Sequence, residues 1–114
     1  MFSPTQSFIE WLNAKGYDAY SYPPKDKTEF FTVERTGGMV ADMVDHPVFA
    51  IQAWAQTDTR AEELILTIRE LLVTGDVPYG FYRVEPENYY PWWDESTRLA
   101  RYQLGLNCTS QLTQ

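Results

Sequence analysis

Apolar and polar positions alternate most regularly between residues 48 and 75, VFAIQAWAQTDTRAEELILTIRELLVTG. Apolar residues at 61, 64, 65, 68, 71 and 72 recur at the i, i+3, i+4, i+7 spacing of an amphipathic helix. Thr59 and Glu62 have the spacing of a capping box, with Thr57 and Asp58 as competing N-caps. Gly75 stands where a left-handed residue would end the helix. The run before it is apolar at nearly every position, and Gln52, Trp54 and Gln56 then alternate with Ala53 and Ala55. That pattern predicts a strand buried on one face and partly covered on the other. The core is expected to form around this strand and helix.

Shorter patterns flank the pair. Ser3 and Pro4 make a helix start, Phe8, Ile9, Trp11 and Leu12 make an apolar face, and Gly16 makes a stop. A first helix is expected over 4–15, too short to persist undocked. The alternating aromatics of 17–22 suit a strand closed by Pro23-Pro24. A second strand, 29–36, places Phe31, Val33 and Arg35 on one face and Phe30, Thr32 and Glu34 on the other. Gly37-Gly38 is expected to break it, leaving 39–47 as a loop or a strand edge, whose length favours a projecting arm between two strands over a tight hairpin. Downstream, 80–87 reads as a strand with Phe81 and Arg83 opposed to Tyr82 and Val84. Residues 88–97, NYYPWWDEST, read as an exposed aromatic loop. The clean alternation of 99–109 gives the last strand, and 110–114 a polar tail. The order α-β-β-β-α-β-β predicts a single α+β domain over 1–114, with one mostly antiparallel sheet of about five strands and two helices on one face.

Composition narrows the function classes. The formal net charge is −7, which disfavours binding nucleic acid over a wide surface because phosphate would be repelled. Aromatics are unusually frequent, with four Trp and eight Tyr; such residues fill cores and are also favoured at protein contacts. A single cysteine excludes an internal disulfide. The start lacks a basic segment followed by an apolar run, and no stretch has the length of a membrane span, so a soluble intracellular protein is expected.

The candidate chemistry is thin. Asp42, Asp45 and His46 lie within five positions of one segment and lack a recognisable ligand spacing, so a solvated turn is the better reading than a metal site. Cys108 falls on the apolar face of the last strand, a core position rather than a nucleophile's setting. Glu62-Glu63 suit the start of a helix, and Glu85 with Glu87 read as a solvent-facing pair rather than an acid–base site. Tyr89, Tyr90, Trp92 and Trp93 lack a core period, and Asp94 and Glu95 beside them oppose base stacking. A protein contact or a folded-back loop remains for them. From the residues alone, a non-enzymatic domain that binds other proteins is expected, with no catalytic, cofactor or metal residues.

Three stretches together resemble a known family. These are FFTVERTGG at 30–38, the strand ending in IQAWAQT with its following helix TRAEEL, and a last strand entered through the aromatic 91–94 turn and continued by Arg101-Tyr102. In this order they resemble the tail terminator and tail-completion proteins of long-tailed bacteriophages, over about residues 5–109. The resemblance implies a non-catalytic ring, typically a hexamer, that caps the tail tube, ends its polymerisation and offers the surface for head–tail joining. Related neck proteins that complete the head are similar in size, and the motifs do not separate the two roles. Implied partners are further copies of the chain, the tail tube protein and a head-completion or connector protein, with genome DNA only as passing cargo and no membrane. The implied location is the tail–neck region of the virion, after assembly in the host cytoplasm. Closing a ring needs two complementary surfaces. The 39–47 arm (Met39, Asp42, Met43) and the 88–98 loop (Tyr89, Tyr90, Trp92, Trp93) are the candidates, with Arg35 and Arg101 as either inter-subunit contacts or ion-pair partners of acidic neighbours such as Asp42. The alternative from another class is a monomeric adaptor that takes a peptide at its aromatic loop or sheet edge.

Overall fold

A computed structural model describes residues 2–92 and 96–112. The elements are α1 (Pro4–Ala14), β1 (Ala19–Tyr20), β2 (Phe30–Ala41), β3 (Val44–Ala55), α2 (Asp58–Val73), β4 (Phe81–Pro91) and β5 (Ala100–Ser110). The strands form one sheet in the order β1-β2-β3-β5-β4. β1 is parallel to β2 and every other pairing is antiparallel. The expected α+β architecture is what the chain adopts.

Both helices pack on one face. Phe8, Ile9, Trp11 and Leu12 of α1 and Ala61, Leu64, Ile65, Ile68 and Leu72 of α2 share one cluster with Phe31, Val33, Phe49, Ile51, Leu104 and Leu106 from the strands. Its formation removes the largest continuous apolar area from water, the main favourable term available to a chain of this size. α1 packs against β1 and β2, and α2 against β3, β5 and β4. Polar clasps set α1 in place. Ser7 Oγ donates to the Tyr79 carbonyl at 2.5 Å, Trp11 Nε1 donates to Asp76 Oδ1 at 3.0 Å, and Ala19 N donates to Asn13 Oδ1 at 3.0 Å.

Local details depart from the sequence reading. The α2 cap is Thr57, whose hydroxyl accepts from Arg60 N at 3.2 Å, so the Thr59–Glu62 box is not formed. The predicted 17–22 strand shortens to Ala19–Tyr20. Gly37-Gly38 does not end β2. The pair sits at a bulge between Arg35 and Gly37, and Gly38 adopts φ +105 where any Cβ would collide with the His46 carbonyl. Residues 39–47 are therefore no loop. They continue β2 and β3 as a hairpin, with Met39 opposite His46 and Ala41 opposite Val44. β4 likewise runs on to Pro91 instead of ending at Glu87, with Tyr89 opposite Leu104 and Tyr90 opposite Gln103. A bulge between Phe81 and Arg83 turns both Phe81 and Val84 into the core, correcting the simple alternation expected there. Ser110, expected in the tail, is fully buried and pairs with both Asp45 and Phe81.

Candidate interaction surfaces

The residues singled out in the sequence fall into two groups at opposite ends of the strands. At one end the β2–β3 hairpin turns through Asp42 and Met43, at φ 55 and 67. Two consecutive positive φ values define the tight turn whose twist suits a hairpin, and neither residue is a glycine. Met39, Val40 and Met43 stand out into solvent, at 69%, 62% and 81% exposure. Below the tip, Arg35 grips Asp45 with two hydrogen bonds of 2.7 and 2.8 Å and reaches the Gly37 carbonyl at 3.0 Å. Asp45 is only 2% exposed, and the guanidinium beside it holds its carboxyl below the usual carboxylate range. The acidic neighbour that Arg35 pairs with is thus Asp45 and not Asp42. Asp42 makes no ion pair among the described residues. His46 lies in strand β3. Nearby, burial pushes the Cys108 thiol up to about 12, which suits a core residue and not a nucleophile.

The second group lies at the far end, where Tyr90, Trp92 and Arg101 are on the sheet face away from the helices, while Tyr89 lies against Tyr102 on the helix-covered face. Arg101 lies over the Trp54 ring at 4.6 Å and the Trp92 ring at 5.1 Å, and its Nε donates to the Trp92 carbonyl at 3.2 Å. Trp92 N donates to the Arg101 carbonyl at 2.8 Å. Phe30 stacks on Trp54 and Tyr90 stacks on Trp92, so four rings and one guanidinium form a continuous column. Trp54, at the inner end, is 2% exposed, while Trp92 is 48% exposed. Tyr89 and Tyr90 thus belong to strand β4 and not to a loop, and the ring of Trp92 stands half open to solvent. Trp93, Asp94 and Glu95 lie outside the described residues.

A polar ladder runs beside the column. Trp54 Nε1 donates to Thr32 Oγ1 at 2.9 Å, and Thr32 Oγ1 donates to Gln52 Oε1 at 2.5 Å. Gln52 Nε2 donates to Gln103 Oε1 at 2.9 Å, and Gln103 Nε2 donates to Tyr90 Oη at 2.6 Å. It crosses β2, β3, β5 and β4, and it leaves no buried side-chain polar atom unpaired among the described residues. Gln52 and Gln103 were legible as polar positions of alternating strands, but nothing in their spacing announced a connected network. Glu85 pairs with Arg83 and Glu87 accepts from Asn107 Nδ2 at 2.6 Å, so each carboxylate has its own partner. Among the described residues no group of three or more His, Cys, Asp and Glu side chains could hold a metal ion. No helix of the described chain is long and apolar enough to cross a membrane.

Comparison with family models and with curated proteins gives no match.

Proposed function

We propose that this chain is a tail terminator or tail-completion protein of a long-tailed bacteriophage, a non-catalytic subunit that closes into a ring on the end of the tail tube. The observation that carries the proposal is the hairpin tip, where Met39, Val40 and Met43 are held in water by a turn with positive φ at two non-glycine residues. Large apolar side chains kept exposed on a rigid support favour a protein contact. The stretches behind the resemblance support it too, since FFTVERTGG forms most of β2 and IQAWAQT runs from β3 to the α2 cap. In this reading copies meet side by side, and the half-exposed Tyr90–Trp92 end meets the tube or the head-completion protein. The virion neck is the working location, reached after assembly in the host cytoplasm. The strong negative charge lets genome DNA pass through the ring without adhering.

Polymerising tail tube protein with and without this chain, viewed by electron microscopy, tests the proposal. Tubes of limited length with a cap at one end are expected. Tubes that grow unchecked and uncapped overturn it. A neck subunit of the head side would instead bind the connector and leave tube growth unchanged. The adaptor alternative predicts a strict monomer, even with tube protein added.

A further inference from the structure

We infer that the hairpin tip of one copy seats on the β4 edge and the end of α2 of the next copy; this rests on the ring reading above. β2 and β4 lie on opposite sides of the sheet, with β1 covering β2 only at Phe31 and Thr32. The hairpin and the start of β4 are at the same end of the strands, because Asp45 and Phe81 both pair with Ser110. A neighbour related by rotation about an axis along the strands therefore meets the tip at the height where β4 begins. That is the head-to-tail contact a closed ring repeats. The aromatic column at the far end lies at the wrong height for it.

The two patches also match in character. The tip offers apolar side chains around the Asp42 carboxylate, which makes no ion pair within the described chain. On the other side Tyr82 and Val73 are 65% and 59% exposed. Arg69 lies one turn before Val73 on α2 and also makes no ion pair among the described residues. Lys15, Lys27, Arg35, Arg60 and Arg83 are all engaged with carboxylates of their own chain. In a chain of net charge −7, an uncommitted arginine beside exposed apolar groups is the natural counterpart of an apolar tip with an uncommitted carboxylate.

A charge exchange read by light scattering tests the inference, with near-UV circular dichroism confirming each fold. Arg69→Asp alone and Asp42→Lys alone should each raise the concentration for ring formation about tenfold, and the double variant should recover most of it. Met43→Ser should weaken the ring without changing the monomer fold. Rings that form normally in Arg69→Asp and Met43→Ser, or a double variant no better than the singles, overturn the seating while leaving the ring intact. A wild-type chain that never forms a ring overturns the ring reading and this contact with it.

Discussion

The two faces of the sheet are closed by different physics. The helix-covered face is dry and apolar, with Phe8, Ile51, Ile65, Ile68 and Leu104 fully buried against one another. The opposite face carries no helix among the described residues, yet Phe30, Thr32, Gln52 and Trp54 are each at most 5% exposed there. It achieves this with its own side chains, by stacking flat rings along the sheet and linking polar groups across strands. The first face depends on close filling and tolerates little loss of volume. The second depends on each partner being present, because a buried polar group left alone is costly. A sheet finished in this way can present that face to another molecule without first uncovering a core.

The sharpest way to break the comparison is Trp54→Ala. Removing the inner ring of the column should cost about 3–5 kcal/mol in denaturant unfolding, as much as a core aromatic. A cost under about 1 kcal/mol would mean that the column is ornament on a face that is effectively open. Ile68→Ala probes the dry face and should cost about 2–5 kcal/mol. Gln52→Leu is nearly volume-neutral, so a packing-only account expects little change. The ladder account expects a loss of about 1–3 kcal/mol, since Thr32 and Gln103 lose their shared partner. Asp45 gives a pH signature. Its folded-state carboxyl lies below its unfolded value, so the stability it contributes is present above about pH 4 and is lost as pH falls through the folded value. Asp45→Asn should cost about 1–3 kcal/mol at neutral pH and flatten the acid limb of the stability curve. The smallest effect on folding should come from Trp92→Ala, under about 1 kcal/mol, because the outer ring is half exposed. Under the proposed function the same variant should weaken capping of the tail tube, and loss of folding would instead make Trp92 part of the core.

How much of this was readable from the sequence follows the same division. α2 was legible because its apolar residues repeat at one period, and of those at 61, 64, 65, 68, 71 and 72 all but the half-buried Leu71 are buried. The central strands were legible because their alternation separates Phe31 and Val33 from Phe30 and Thr32. What was not legible was backbone geometry without a residue signature. Gly37-Gly38 looks like a strand break, and only the pairing of Gly38 against Pro47 reveals a bulge inside a continuing strand. Asp42 and Met43 adopt positive φ without a glycine, so the hairpin turn leaves no mark in the sequence and the length of 39–47 favours an arm over the tight hairpin that forms. Pro91 reads as a loop residue, yet β4 is an edge strand, where its missing N–H costs little, and Asn88 falls in the bulge between Pro86 and Tyr89. Of the candidate interface residues, the exposed Met39 and Met43 and the half-exposed Trp92 stand where a partner can reach them. Arg35 and Arg101 are engaged inside the chain instead, the one by Asp45 and the other between two tryptophans.

The most direct measurement is the mass of the purified chain by light scattering across a concentration series at moderate salt, which screens the mutual repulsion of acidic copies. A single closed species at a fixed multiple of the 13.3 kDa subunit, of ring shape in the microscope, is the predicted result. A species that remains one subunit in mass at every concentration, and gains none when tail tube ends are supplied, would contradict it.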